Sequence, residues 1–190
     1  SFHSALRTWT FAQNAAEAIR RDRDAYDVVH GFGRTLEQDV YRCGGGCHLE
    51  YLRATEPAMR TPWGRAWTML NPRHRVALAL EGRIFRERRF RRLTCISREV
   101  ARQVTAVYGI GPEEITVIHN GVETDAYSPA LRDAHRAPLR AELGIGAEEF
   151  VVLYVGSGFE RKGLVHAVRA FARLPASLRA RLVVVGNGRI

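Results

Sequence analysis

The chain has 190 residues, of which 46% are hydrophobic and 26% charged, so it can bury a core and is not a disordered segment. Its formal net charge of +9 at pH 7 favours an anionic partner, but charge alone does not choose among nucleic acid, acidic lipid and a phosphorylated substrate. Neither a run of about 18 apolar residues nor a secretory leader is found in the sequence, which argues against a membrane-spanning helix and against export.

The predicted elements begin with a helix, a short strand and a loop. Residues 11–35, FAQNAAEAIRRDRDAYDVVHGFGRT, carry apolar and small residues at helical spacing, then an apolar pair at Val28 and Val29 that breaks at Gly31. The loop continues through CGGGC, whose glycines permit positive φ and let the backbone approach another surface closely.

The segment that follows Pro72 predicts a long amphipathic helix. Its apolar positions are Val76, Leu80, Ile84 and Phe85. Arginines cover most of the remaining positions through residue 92, so the exposed face is strongly basic. Such a face suits an anionic membrane surface or RNA and DNA, and plain solvation is an equally open alternative.

Two short strands flank the next predicted helix. LTCIS predicts a buried strand, and Ser97 is placed to cap REVARQVTAVYGI, which ends at Gly109. ITVIHNGV predicts a strand that stops at a turn formed by Asn120 and Gly121.

A second unit is expected after residues 122–137, which lack sustained periodicity, contain Pro129 and are interpreted as a linker. PLRAELGI predicts a short helix, FVVLYVG a fully buried strand, GLVHAVRAFARLP a helix and ARLVVVG another buried strand. These form a βαβ unit and therefore a parallel sheet. The expected architecture is two parallel-sheet α/β domains joined by a linker.

The stretch VGSGFERKGL, residues 155–164, points to phosphate chemistry. A predicted strand runs into small residues, and Arg161 and the single lysine, Lys162, follow at a helix start. Arginine can grip two phosphate oxygens, whereas lysine supplies a mobile point charge, so a diphosphate ligand is indicated. Neither the phosphate-loop pattern nor G-x-G-x-x-G fits, because Gly163 follows Lys162 and Arg161 stands at the third glycine position. The alternative is a glycine turn beside two solvated cations.

Four segments together resemble retaining glycosyltransferases of the GT-B fold, family 4, and particularly the bacterial lipopolysaccharide core glucosyltransferases. VGSGFERKGL, VIHNGVETDAYSP, RAELGI and LVVVGNG occur in the family's order and at about its spacing, and QDVYRCGGGCH resembles a segment of its amino-terminal domain. The resemblance implies an α/β fold of two Rossmann-like parallel-sheet domains, both incomplete in this segment. Residues 1–121 would be the C-terminal part of the acceptor-side domain, 122–137 the linker and 138–190 the start of the nucleotide-sugar-binding domain.

The resemblance also implies roles for individual residues. Arg161 and Lys162 would hold the donor diphosphate and stabilise the leaving nucleotide. The small residues Gly156, Ser157 and Gly158 would line its approach. The family's paired glutamates and its amino-terminal glycine-rich loop are not found in the sequence, so the activity expected is that of a longer parent protein, and the segment alone is expected to be inactive.

Further candidates lie in loops that are expected to face a cleft. His30 and Asp39 could orient an acceptor hydroxyl or stabilise a sugar cation, and His30, Arg34 and His48 are the expected acceptor-side residues. A solvated or structural role is the alternative for each. Gly45 stands where some related core enzymes carry an acidic residue, so no catalytic base is assigned.

The expected reaction transfers a sugar from a nucleotide-sugar, UDP-linked, to a lipopolysaccharide core or similar glycan with retention. Cations at the diphosphate would make a metal ion and other cofactors unnecessary. Cys43, Cys47 and Cys95 are expected to be free thiols in a reducing compartment, and the group Cys43, Cys47 and His48 lacks a fourth ligand for structural zinc.

The expected partners are a nucleotide-sugar, a glycan or glycolipid acceptor and an anionic membrane surface, with the protein cytoplasmic or peripheral on the inner face of the plasma membrane. Nucleic acid is not expected. The alternative function is a noncatalytic basic module that binds nucleic acid or a phospholigand. Steep salt dependence of RNA binding without affinity for UDP would favour that alternative.

Overall fold

The structure, a computed structural model, describes residues 2–56 and 60–188, apart from the side chain of Arg161. The chain divides into two compact units, Ser1–Gly121 and Val122–Ile190. Within the described ranges, no helix combines the length and the apolar character needed to cross a membrane.

The first unit contains helices and a four-stranded sheet. The helices are α1 (Phe2–Arg21), α2 (His48–Thr55), α3 (Pro62–Leu70), α4 (Pro72–Arg86) and α5 (Arg98–Tyr108). The strands are β1 (His30–Gly31), β2 (Val40–Cys43), β3 (Arg92–Cys95) and β4 (Ile115–Val117). Single 3₁₀ turns occupy Arg23–Ala25 and Pro112–Glu114.

All four strands of this sheet are parallel and follow the order β1-β2-β3-β4. Val40 is in register with His30 on one side and Arg92 on the other, whereas Cys43 at the end of β2 faces Cys95 at the end of β3. The strands therefore end along one edge of the sheet, called the carboxyl edge below, and begin along the opposite amino edge. Ligands of open parallel sheets bind at the carboxyl edge.

Helix α4 forms much of the core of the first unit. It begins at Pro72, where the Asn71 side chain accepts a hydrogen bond from the Arg73 backbone N–H at 3.0 Å. Leu80, Ile84 and Phe85 are buried, as their helical spacing predicts, and pack with residues of α1, the sheet and α5.

The arginine-rich run that follows is not part of this helix, contrary to the sequence interpretation. The helix ends at Arg86, and the chain turns at Arg88, a non-glycine residue with φ of 51°, before entering β3 at Arg92. This run therefore lies at the amino edge, where β3 begins.

The predicted β3–α5 unit is confirmed. The Ser97 hydroxyl accepts a hydrogen bond from the Val100 backbone N–H at 3.2 Å, and α5 ends at Gly109 with φ of 66°. The strand predicted at Val28 and Val29 is instead the two-residue β1, which starts at His30. The prediction missed β2, α2 and α3. Strand β2 carries a weak signal because its sequence, VYRC, is short, contains an arginine and runs directly into glycines.

The second unit contains α6 (Ala130–Glu142), β5 (Phe150–Val155), α7 (Phe159–Lys162), α8 (Leu164–Phe171) and β6 (Ala180–Val185). Strands β5 and β6 are parallel and pair along their whole length, so the predicted βαβ unit is confirmed.

Two expectations for the second unit are wrong. Residues 130–137, expected to be linker, are helical, because α6 starts directly after Pro129 and continues through Pro138. Strand β5, expected to be fully buried, leaves Leu153 60% and Val155 68% exposed. A sheet of two strands offers too few neighbours to cover both faces of an apolar strand.

Candidate functional site

An open cavity of about 540 Å³ lies at the carboxyl edge of the first sheet. It is lined by Phe32, Gly33, Arg34, Tyr41, Arg42, Cys43, Gly44, Gly45, Gly46, His48, Tyr51 and Glu81. The loops after β1 and β2 supply half of these residues, because both strands end here. Of the expected acceptor-side residues, the structure brings Arg34 and His48 together in this cavity.

Glu81 organises the cavity from within. Its side chain, only 4% exposed, accepts hydrogen bonds from Arg34 Nη2 at 3.0 Å, from the His48 backbone N–H at 2.8 Å and from Tyr108 Oη at 3.0 Å. One buried carboxylate on α4 thus fixes the loop after β1, the start of α2 and the end of α5. A buried charge needs such partners to offset its desolvation.

The hydrogen bond with Glu81 engages only part of the Arg34 guanidinium group. Its Nε is buried and forms no hydrogen bond to the described residues, although its Nη2 is paired with Glu81. The Arg34 side chain as a whole is 37% exposed, so donor capacity for a ligand in the cavity lies in its outer N–H groups and not in Nε.

His48 forms a second contact, with His74 on α4. Its Nε2 lies 3.1 Å from His74 Nδ1, so one ring donates a hydrogen bond and the other accepts it. Burial, and to a lesser degree the charge of Arg34, lowers the pKa of His48 to about 4. The ring is therefore neutral at pH 7, and its Nε2 is already engaged.

The glycine loop between β2 and α2 has one residue that must be glycine. Gly46 has φ of 73°, and a Cβ there would lie 2.5 Å from Gln103 Oε1, which also accepts a hydrogen bond from the Cys47 backbone N–H. Gly45, by contrast, has open space around it. All three glycines of the loop permit positive φ, and Gly46 is the one that adopts it.

Arg42 and Phe32 form the outer rim of the cavity. The Arg42 guanidinium carbon lies 5.7 Å from the centre of the Phe32 ring, and its Nη2 donates a hydrogen bond to Asn120 Oδ1 after β4. The rim is therefore cationic and aromatic, a combination suited to an anionic or sugar ligand.

The cysteines are free and buried. Burial raises the pKa of the Cys47 thiol to about 12, and a hydrogen bond with Cys43 together with burial raises the pKa of Cys95. The Cys47 and Cys95 thiols are therefore protonated and poorly nucleophilic, whereas the hydrogen bond with Cys95 lowers the pKa of Cys43. Within residues 2–56 and 60–188, no group of three His, Cys, Asp or Glu residues is arranged to hold a metal ion.

Two candidates lie away from the cavity lining. His30 is exposed at the start of β1, with its ring centre 4.2 Å from that of Phe32. Asp39 precedes β2 at the amino edge, contrary to the expected position. Its carboxylate accepts hydrogen bonds from Arg23 at 2.8 Å and from the Val29 backbone N–H at 2.9 Å, and the latter chiefly lowers the pKa of Asp39.

The candidate diphosphate loop, residues 156–163, follows β5 in the second unit. The Gly156 N–H donates to the Val185 carbonyl at 2.9 Å, and the Gly158 N–H donates to the Asn187 carbonyl at 2.8 Å. Gly186, with φ of 139°, approaches so closely that a Cβ there would lie 1.9 Å from the Gly156 oxygen. Backbone contacts with the end of β6 and with the segment just after it therefore hold this loop.

Lys162 is exposed at the end of α7, which the sequence did not predict as a helix. A Cβ on Gly156 would lie 3.7 Å from Lys162 Cγ, so the lysine stem passes beside the end of β5. The part of the chain that the structure describes shows no ion pair to this ammonium group. Arg161 has a described backbone, but the predicted role of its side chain lies outside the described residues.

Sequence reasoning missed Glu81 and His74. A usable signal existed for Glu81, because it lies three to four residues from Ala77, Ile84 and Phe85 on the apolar stripe of the predicted helix. A carboxylate on such a stripe indicates a buried partner. His74 carries no comparable signal, since its contact with His48 joins residues 26 positions apart.

Comparisons with known proteins identify the family. A model of the family described as Glycosyltransferase Family 4 matches residues 1–126. D-inositol 3-phosphate glycosyltransferases of Mycobacterium bovis (strain BCG / Pasteur 1173P2) and Mycobacterium tuberculosis (strain ATCC 25618 / H37Rv) are each 37% identical to this chain over 96 residues, which is 50% of this chain. The match spans only 18% of those relatives' length.

Among solved structures, the chain is similar to WaaG, a glycosyltransferase involved in lipopolysaccharide biosynthesis. The TM-score is 0.69 at 24% identity, and the match covers 90% of this chain and 45% of WaaG. The fold is therefore that of a GT-B glycosyltransferase, which confirms the fold class expected from the sequence.

Proposed function

This chain belongs to Glycosyltransferase Family 4, and from that premise we propose that it is part of a retaining glycosyltransferase. The enzyme moves a sugar from a nucleotide-sugar, UDP-linked, to a lipopolysaccharide core or similar glycan. The observation that carries the proposal is the cavity at the carboxyl edge of the first sheet, in a chain of this family. Open parallel sheets bind their ligands at this edge.

Lys162 is the proposed contact with the donor diphosphate. As the bond between the sugar and the diphosphate breaks, negative charge grows on the leaving phosphate, and a cation held beside it lowers the barrier. Its exposed ammonium group and its place beside the loop after β5 support this role. Arg161 is proposed to share the charge, and neither a metal ion nor another cofactor is required.

Arg34 and Arg42 are the proposed acceptor contacts. Both line the cavity, and the side chain of Arg34 is 37% exposed. Two guanidinium groups around one cavity favour an acceptor that carries a phosphate or carboxylate as well as hydroxyl groups. The mycobacterial relatives are named for a phosphorylated acceptor, which agrees with that preference.

His48 is proposed to shape the acceptor cavity rather than to transfer protons. Its Nε2 is occupied by His74, and its pKa of about 4 keeps it neutral at pH 7.

We further propose that the acceptor is a glycolipid and that the enzyme works in the cytoplasm, on the inner face of the plasma membrane.

The proposal is tested on a full-length protein that carries this chain, by calorimetric titration with UDP, ADP and GDP and by transfer from the matching nucleotide-sugar. Lys162→Ala should reduce turnover by about 100-fold, the typical loss when one charge-stabilising group is removed. Arg169→Ala, which removes an exposed cation of α8, is the matched control and should change turnover little.

Turnover of Lys162→Ala within a few fold of the unaltered protein would remove this residue from the mechanism. Salt-sensitive binding of RNA or DNA without affinity for any nucleoside diphosphate would instead favour the noncatalytic binding module.

A further inference from the structure

The carboxyl edge of the first sheet carries two thiols side by side. Cys43, the last residue of β2, is in register with Cys95, the last residue of β3. Register partners of neighbouring parallel strands point to the same face of the sheet, and their Cα atoms lie about 4.8 Å apart, within the range that a disulfide spans. Both residues belong to the core of the first unit, and their thiols share a hydrogen bond. The strands therefore already hold the two sulfur atoms as neighbours.

The two thiols differ in their access to solvent. Cys43 is 3% exposed and lines the open acceptor cavity of about 540 Å³, whereas Cys95 is 0% exposed. A molecule as small as a peroxide can reach Cys43 through this cavity. Cys47 lies four positions after Cys43, at the start of α2, and is also buried. It is the alternative partner for Cys43, but the hydrogen bond of the Cys43 thiol is with Cys95.

The shared hydrogen bond gives the two thiols different reactivity. The Cys95 S–H donates to the Cys43 sulfur and so lowers the pKa of Cys43, although burial opposes this effect. The backbone N–H groups of Gly46 and Gly45 lower that pKa further. The same hydrogen bond raises the pKa of Cys95, and burial adds to the rise. Because the thiolate is the form that attacks an oxidant, Cys43 is the first thiol to react.

We propose that Cys43 and Cys95 form a reversible disulfide when hydrogen peroxide enters the cavity, and that this bond disables the acceptor cavity. The Cys43 thiolate attacks one peroxide oxygen, so that an S–O bond forms and the O–O bond breaks. The departing hydroxide takes up the proton that the Cys43 thiol released and becomes water.

Cys95 completes the reaction in a second step. Oxidation of Cys43 to the sulfenic acid removes the thiolate that held the Cys95 proton. The Cys95 sulfur then attacks the sulfenic sulfur, the S–S bond forms, the S–O bond breaks, and hydroxide leaves with the Cys95 proton as a second water. Two thiols are thereby oxidised while one peroxide is reduced to two waters.

The disulfide changes the shape of the cavity. Cβ atoms of register partners lie about as far apart as the strands, roughly 4.8 Å, whereas a disulfide needs about 3.8 Å. Closing this gap moves the glycines at residues 44–46, which directly follow Cys43 and line the cavity. The strain of such a bond makes it easy to reduce, so the change is reversible. Its effect on sugar transfer rests on the proposed function, whereas formation of the bond does not.

Peptide mapping tests the bond on the full-length protein that carries this chain. After exposure to hydrogen peroxide and alkylation of the remaining thiols, trypsin releases residues 43–53 and 93–98, because an arginine precedes and ends each segment. A disulfide between Cys43 and Cys95 joins these two peptides, and dithiothreitol separates them. The matched control Cys47→Ser should give the same joined pair.

Dimedone, which labels sulfenic acids, identifies the thiol that reacts first. In Cys95→Ala, oxidation should stop at the sulfenic acid of Cys43, and dimedone should label it. In Cys43→Ala, labelling of Cys95 should be at least about tenfold lower, because this thiol is buried and protonated. The mapping of the unaltered protein decides the proposal even where an alanine variant folds poorly.

Transfer activity and hydrogen exchange measure the effect on the cavity. Peroxide should lower transfer by about tenfold, since a displacement of about 1 Å in a site can cost more than that. The fraction of activity lost should equal the fraction of joined peptide, and dithiothreitol should restore both. Altered hydrogen exchange at residues 44–48 should report the same change without transfer. A protein that is inactive even when reduced would contradict the proposed reaction, while mapping and exchange would still decide the disulfide.

Three results would overturn the proposal. The first is a protein that keeps residues 43–53 and 93–98 as separate peptides after peroxide. The second is a disulfide within residues 43–53, which would join Cys43 to Cys47. The third is a joined pair that leaves both transfer and hydrogen exchange unchanged.

Discussion

The two units hold the loops at the ends of their strands by different means. In the first unit a buried side chain does so, since Glu81 binds Arg34, the start of α2 and Tyr108. In the second unit the backbone does so, through hydrogen bonds from Gly156 to Val185 at the end of β6 and from Gly158 to Asn187 just after it.

This difference determines which substitutions the loops of each unit can accept. The structure of the cavity in the first unit depends on the charge of Glu81 and its hydrogen bonds. The structure of the loop after β5 in the second unit depends on glycines that leave no side chain between the two backbone segments. Burial follows the same division, since Leu80, Ile84 and Phe85 leave 1% or less of their surface exposed in the first unit, while the strand before the second loop leaves Leu153 60% exposed. Substitutions that change only charge or only volume should therefore affect the two units differently.

The largest effect is expected from Gly186→Val. A Cβ at this position would lie 1.9 Å from the Gly156 oxygen, in a backbone conformation that side chains rarely adopt, so the loop after β5 must move. The expected loss in the free energy of unfolding of the second unit is about 4 kcal/mol. Faster hydrogen exchange at residues 156–159 and loss of nucleotide binding would report it.

Gly146→Ala is the matched control in the same unit, because its added Cβ would meet only ordinary contacts with Glu149. Equal exchange rates in both variants would contradict the claim that close backbone approach holds the loop.

The second largest effect is expected from Glu81→Ala. Removing the carboxylate leaves the Arg34 guanidinium, the His48 N–H and the Tyr108 hydroxyl without their acceptor, at a cost of about 3 kcal/mol. Tryptophan fluorescence during denaturation measures this unit specifically, because all three tryptophans lie in it.

Tyr108→Phe removes only one of those hydrogen bonds and should cost about 1 kcal/mol. A Glu81→Ala variant no less stable than Tyr108→Phe would show that the carboxylate does not organise the cavity.

The part of this fold that the sequence predicts rests on local signals. Ser97 and Gly109 delimit α5, and Pro72 with the apolar spacing at Leu80 and Ile84 defines α4, because caps and periodicity act within a few residues. The two apolar runs within residues 150–185 likewise predict the βαβ unit.

The remainder depends on contacts between distant residues. Strand β2 is short and gains its place from pairing with β3, 52 positions later, which no local pattern encodes. Asp39 was expected in a cleft because the sequence indicates the loop after β1 but not strand β2, which follows that loop. Once β2 is known to start at Val40, Asp39 must lie at the amino edge.

For the candidate site, the loops that carry Arg34 and His48 were expected to face a cleft, and both residues line the cavity, although their acceptor role remains a prediction. Glu81 and His74 were missed. The roles of Arg161 and Lys162 remain predictions.

A smaller effect is expected from Asp39→Ala, which contrasts the two edges of the first sheet. The carboxylate joins Arg23 and the Val29 N–H at the amino edge, so its loss should lower the unfolding midpoint by less than Glu81→Ala does. Turnover per folded molecule should stay unchanged, because the substitution lies opposite the cavity. A steep loss of turnover at an unaltered midpoint would restore Asp39 to the mechanism.

The smallest effect is expected in the pH dependence of stability, through His48. The pKa of His48 is lowered from 6.5 to about 4 on folding, chiefly by burial. Between these pH values His48 is protonated in the unfolded chain and neutral in the folded chain. Stability should therefore fall as pH falls from about 6.5 toward 4, and His48→Gln should recover about 1 kcal/mol of that loss after allowance for partial exposure. Denaturation midpoints at several pH values measure this, with His135→Gln on the exposed surface of α6 as the control. If His48→Gln and His135→Gln give the same pH profile, burial of His48 does not link protonation to the stability of the first unit.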